Sequence, residues 1–131
     1  MSFSIPGYSE EIQPTEIFVF GSNLAGIHGK GAALCAVKEH GAKRGQGEGP
    51  QGRSYAIPTK DHRISTLPLS EIKKGIRSFL IYAEKNPDLK FNVTRIGCGL
   101  AGYRDEDIAP MFRERGPNVR IHPSWQKVLG E

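Results

Sequence analysis

Two glycine-rich stretches and one polar cluster hold the residues whose types and spacing suit chemistry. The first stretch follows the apolar run Ile17-Phe18-Val19-Phe20 and passes Gly21, Gly26, Gly29 and Gly31 before an alanine-rich segment. The second is Gly97-Cys98-Gly99-Leu100-Ala101-Gly102. Loops without bulky side chains let backbone N–H groups, and the positive end of a following helix, meet an anion directly, so phosphate is the natural guest. Lys30 sits within the first loop but lacks the Ser or Thr that a triphosphate-binding loop places next, which argues against ATP chemistry. The polar cluster, Thr59-Lys60-Asp61-His62-Arg63, closes a short apolar run, where polar side chains face either solvent or a site. Imidazole side chains suit proton transfer, which makes His28 and His62 candidates for it, although neither has a partner visible in the sequence. His28, His62 and Cys98 have no metal-ligand spacing, and neither a metal centre nor a cofactor is expected.

The elements that must position these residues follow from periodicity. Glu16 to Phe20 is too uniformly apolar for an edge strand and predicts a central one. Lys30 to His40 carries Ala32, Ala33, Leu34, Ala36 and Val37 at helical spacing, with Gly41 as its stop. Ala42 to Arg53 alternates glycine with polar residues and reads as a mobile surface loop, with a lid as the alternative. A strand is expected over Ser54 to Ile57, stopping at Pro58. A helix begins at Ser70, the candidate N-cap, with Ile72, Ile76, Phe79, Leu80 and Ala83 as its apolar stripe. Lys90 to Ile96 predicts a second central strand, Glu106 to Arg113 a short helix interrupted near Pro110, and Asn118 to His122 a third strand before a tail with Trp125. Residues 1–15 read as an irregular arm, and 16–131 as one domain. Strands alternating with helices specify an α/β layered fold with parallel pairs, whose ligands bind beyond the carboxyl ends of the strands. Gly21–Gly31, Pro58–Arg63 and Gly97–Arg104 all fall there.

Composition bounds the rest. At 131 residues the chain can bury one core, and its 16 glycines and nine prolines belong to loops. No apolar run approaches the length of a membrane helix and no signal-peptide layout is visible, so a cytoplasmic protein without a membrane partner is expected. Cys35 and Cys98 are expected to stay reduced. The formal charge of +4 suits a phosphorylated ligand as well as a nucleic acid.

Three blocks in order resemble the macrodomain family, modules that bind ADP-ribose and in several branches cleave it from a macromolecule. The likeness is nearest to the terminal ADP-ribose glycohydrolases and the antitoxin macrodomains that act on DNA. The blocks are Asn23 with Gly26-Ile27-His28-Gly29-Lys30-Gly31-Ala32-Ala33-Leu34, then Ile57-Pro58-Thr59-Lys60-Asp61-His62, then Arg95-Ile96-Gly97-Cys98-Gly99-Leu100-Ala101-Gly102. The resemblance implies a three-layer fold, a mixed and mostly parallel central sheet flanked by helices. It implies that Gly29, Lys30 and Gly31 pass beside the distal ribose and a phosphate, that Gly97, Cys98, Gly99, Leu100, Ala101 and Gly102 form the opposing phosphate loop, and that Asn23 bonds a ribose hydroxyl. Ser22, Gly26, His28, Thr59 and Tyr103 join them as candidate contacts, Tyr103 either stacking on the ligand or simply packing.

The branch's catalytic lysine falls on Lys60. An amine withdrawn from water can attack or transfer a proton at the anomeric carbon, whereas a lysine in a charged surface turn does neither. The branch places an acid directly after its glycine loop; here Tyr103-Arg104 intervene, and Asp105 is the nearest candidate, with helix capping as its alternative role. The implied activity is hydrolysis of an ADP-ribosyl linkage, with nucleic acid as a candidate acceptor. The alternatives are a non-catalytic binder of ADP-ribose or a related nucleotide signal and, on charge alone, a nucleic-acid accessory protein.

Overall fold

The computed structural model describes residues 15–99 and 101–131; the expected N-terminal arm, apart from Thr15, and Leu100 lie outside the described residues. Five strands, β1 (Glu16–Asn23), β2 (Gly49–Gln51), β3 (Ser54–Lys60), β4 (Lys90–Val93) and β5 (Val119–Arg120), form one sheet in the order β2-β3-β1-β4-β5. All pairs are parallel except the antiparallel β2–β3 pair. The helices are α1 (Gly31–Glu39), α2 (Leu69–Glu84), α3 (Asp105–Ile108) and α4 (Pro123–Val128), with a 3₁₀ turn at Ala109–Phe112.

Alternation along β1 divides the core into two layers. Ile17 and Val19 enter a large cluster with Ile72, Ile76, Phe79, Phe112 and Trp125 beneath α2, the 3₁₀ turn and α4. Phe20 points the other way, into a smaller cluster with Ala33 and Ala36 of α1. The small alanines let α1 lie close to the sheet, which brings its N-terminus to the carboxyl end of β1. The result is the expected three-layer α/β arrangement around a mixed, mostly parallel sheet.

Four local differences from the sequence reading have physical reasons. β3 runs through Pro58 to Lys60, because β2 pairs only with Ser54 to Ala56 and leaves the proline no ladder bond to break on that side. The polar segment after α1 is a fastened strap. Its buried Gln51 accepts from Lys43 N–H at 2.8 Å and donates to the Gln46 carbonyl at 3.1 Å, and β2 lies inside it. Helix α2 starts at Leu69 with Pro68 at its N-cap, so Ser70 lies one residue inside the helix. The strand predicted over Lys90 to Ile96 ends at Val93, where Thr94 donates from both N–H (3.0 Å) and Oγ1 (2.8 Å) to the Val19 carbonyl.

Candidate functional site

The carboxyl ends of β3, β1 and β4 lie side by side beneath a cleft of about 620 Å³. Its lining brings together most of the residues singled out from the sequence: Ser22, Asn23, Gly29, Lys30, Gly31, Thr59, Lys60, Gly97, Cys98, Gly99 and Ala101.

One wall is the loop from β1 into α1. The Asn23 side chain closes this loop, accepting from Ile27 N–H at 2.9 Å and donating to the Ile27 carbonyl at 2.7 Å. One amide hydrogen and one oxygen lone pair remain for a ligand. Gly31 has φ +58°, and an added Cβ would meet nothing within 4 Å, so the start of α1 opens on the cleft. The N-cap Lys30 makes no side-chain cap bond, and no acid occupies the first turn. The first-turn N–H groups of Gly31, Ala32 and Ala33, all in the lining, carry the partial positive charge of the helix end, which suits an anion.

Across the cleft lie Gly97, Cys98, Gly99 and Ala101 of the second glycine loop. Gly97 at φ +76° turns the chain so that Tyr103 N–H reaches its carbonyl at 2.8 Å. Two struts fix this wall to the segment after β3: Thr66 Oγ1 donates to the Ala101 carbonyl (3.1 Å), and Tyr103 Oη donates to the Leu67 carbonyl (2.7 Å). Tyr103 therefore braces the wall and does not line the cleft.

Between the walls, Thr59 Oγ1 donates to the Ser22 carbonyl at 3.2 Å, and Ser22 Oγ donates to the Gly47 carbonyl, so the floor is tied to the strap behind it. Lys60, half-buried at the end of β3, faces the cleft and pairs with no carboxylate among the described residues.

Several sequence candidates sit elsewhere. Gly26 packs against Gly45 behind the wall, and Gly102 closes the second loop outside the lining. His28 is wholly buried, with Nε2 3.0 Å from the Gln46 carbonyl and its ring edge-on to Phe20; Nδ1 has no partner among the described residues. His62 is exposed and outside the lining. Asp105 also lies outside the lining, in a bidentate pair with Arg95 (Nε–Oδ1 and Nη2–Oδ2, both 2.9 Å). The buried Trp125 indole donates to Oδ1 at 2.8 Å. The Arg95 bonds hold this carboxyl below the usual range. The capping role weighed for Asp105 falls to Asp107, whose Oδ2 accepts from Arg104 N–H at 3.0 Å. Burial first, and then the Asp105 charge, push the Cys98 thiol up to about 11.

Several lining residues were not among the contacts expected from the sequence. Thr94, Arg95 and Ile96 enter just past the end of β4, and Ile27 and Ile64, on the loops after β1 and β3, stand 58% and 41% exposed. Ile64 has φ +63°, rare for a β-branched residue, and the Asp61 carboxylate holds the turn by accepting from Arg63 and Ser65 N–H groups. An isoleucine inside a polar or glycine loop was the available signal. Among the described residues, one trio of potential metal donors converges away from the cleft, Cys35, Glu39 and His40, within 4.8 Å of one another.

No family model and no curated protein sequence matches the chain. Solved structures do. One is DarTG of Thermosipho africanus in complex with ADP-ribose, at TM-score 0.62 and 18% identity, matched over 87% of this chain and 42% of that one. The chain thus spans less than half of the DarTG chain. Another is the macrodomain of Mycobacterium tuberculosis DarG, at TM-score 0.61 and 23% identity, matched over 82% of this chain and 87% of that one.

Proposed function

Starting from the macrodomain fold that this chain shares with both structures, we propose that it recognises ADP-ribose and hydrolyses an ADP-ribosyl linkage on a macromolecule or nucleotide. The observation that carries the reading is the cleft itself: two glycine walls offering backbone N–H groups to a diphosphate, and Lys60 facing the space between them without a carboxylate partner among the described residues. The register that sets Asn23 beside Lys60 supports assigning Asn23 to a ribose hydroxyl. The Lys60 amine attacks the anomeric carbon or moves a proton there; the bond to the acceptor breaks, the acceptor leaves with a proton, and water completes the hydrolysis to free ADP-ribose.

The test is release of ADP-ribose from ADP-ribosylated DNA and from ADP-ribosylated protein. Lys60→Ala should abolish release while still binding ADP-ribose by calorimetry; cleavage at the wild-type rate would remove Lys60 from the mechanism. A specific observation favours the second reading, a non-catalytic binder: Asp105, the expected acid, is committed to Arg95 and Trp125 outside the cleft lining. Tight binding with intact substrate would select that reading, and no binding of any adenine nucleotide would reject both.

A further inference from the structure

Arg95 was not among the residues expected to touch a ligand, yet it is held more firmly than any other cation in the cleft. The order of strands across the carboxyl edge is β3, β1, β4, so Lys60, Asn23 and Arg95 succeed one another along it. Lys60 and Arg95 are separated by about two strand spacings, roughly 10 Å, with Gly29–Gly31 and Gly97–Gly99 flanking the space between. If the reacting ribose of the ligand lies at Lys60 and the diphosphate between the glycine walls, as the ADP-ribose reading has it, the nucleoside end extends over β4.

The guanidinium there is preoriented. Asp105 takes up Nε and Nη2 at 2.9 Å each, and Trp125, fully buried against Phe112 at 5.2 Å between ring centroids, holds Oδ1 of that carboxylate at 2.8 Å. Arginine has five N–H donors in a fixed plane, so three remain, together with the flat face of the group. Both suit a purine: ring nitrogens accept hydrogen bonds, and a guanidinium stacks on an aromatic face.

We propose that Arg95 binds the nucleoside end of the ligand, and that Asp105 and Trp125 are positioning residues that fix its guanidinium from α3 and α4. This rests on the ADP-ribose reading. It gives Asp105 a task outside the reacting centre and makes the C-terminal helix part of the binding apparatus.

The test is calorimetry with ADP-ribose, AMP and ribose 5-phosphate. Arg95→Ala should weaken ADP-ribose and AMP by about 10- to 100-fold, the value of a charged hydrogen-bonding group, and leave ribose 5-phosphate within about twofold. Trp125→Phe keeps an aromatic ring in the core and removes the indole N–H; it should weaken the same two ligands by about three- to tenfold. A merely structural role would weaken all three ligands together and lower the melting temperature. Equal losses across the three, or AMP binding unchanged in Arg95→Ala, would overturn the proposal while ADP-ribose binding by the wild type stands. Wild-type protein that binds neither ADP-ribose nor AMP would overturn the reading beneath it.

Discussion

Replacing Gly26 by alanine should loosen the strap that backs the cleft. Gly26 has φ +72°, where an alanine costs about 1–2 kcal/mol. Its Cβ would stand 2.4 Å from the Gly45 carbonyl carbon and 2.6 Å from both Gly45 Cα and Gln46 N. All three are backbone atoms, so no rotamer change relieves the overlap. Restoring ordinary contact requires the two segments to part by about 1 Å, at about 1–3 kcal/mol of overpacking strain. The Gly45 N–H bond to the Gly26 carbonyl, 2.9 Å, stretches with it and forfeits about 1 kcal/mol. The loss should be about 3–6 kcal/mol, a large part of the roughly 5–15 kcal/mol that holds a domain together. Gly45→Ala is the control: it has φ +93° but open space around the added Cβ, so it should lose only about 1–2 kcal/mol. Urea unfolding of both variants reads the difference as a shift in midpoint at constant slope. Equal losses would mean that the strap is not fastened at Gly26 and swings as the lid the sequence allowed.

Two further outcomes follow from titrating groups. Burial chiefly, and Arg53 next, lower the pKa of His40, whose ring stacks on Phe18 at 4.3 Å with 8° between planes; the Glu39 charge opposes them in part. The folded state therefore favours the neutral ring, so the stability this gives is complete above the ordinary histidine value of about 6.5 and is lost as pH falls through the lower folded value. Thermal melts from pH 8 downward should show this decline in the wild type and a flatter profile in His40→Phe; identical profiles would refute it. With its thiol at about 11, Cys98 should alkylate slowly at pH 8, and more slowly still with ADP-ribose bound, because it lines the cleft. Mass-resolved labelling with iodoacetamide checks both, and unchanged labelling on adding ADP-ribose would count against occupancy of this cleft.

How much could be read in advance depended on the range of the interaction. β1 announced itself as a continuous apolar run, and α1 and the stripe of α2 as helical periodicity, because the burial of Ile17, Val19, Ala36, Phe79 and Ala83 is written locally. The two glycine loops did too, since apolar runs ending in glycine mark the carboxyl edge of a sheet. The order in the strap was hidden because composition suggested exposure, while one buried side chain, Gln51, holds the segment through backbone groups. Asp105 was legible as an acid but not as the partner of Arg95 and Trp125, which meet it only once α3 and α4 have packed. Arg95 looked like part of a glycine block, and its place in the cleft depends on where β4 stops.

The register of β1 also bears on when the cleft comes into being. Phe18 faces Ser54 on one side, and Ile17 faces Phe91 on the other, so the central strand is sandwiched between partners contributed by the middle and the last third of the chain. Such non-local parallel pairing closes large loops before it is rewarded, which makes folding slow. No early fragment holds both walls: a nascent chain that has not reached Gly97 carries the α1 side alone. Assembly of the site is therefore a late event, close to completion of the whole sheet, and a ligand that bridges the walls adds its binding free energy to the cohesion of the entire domain.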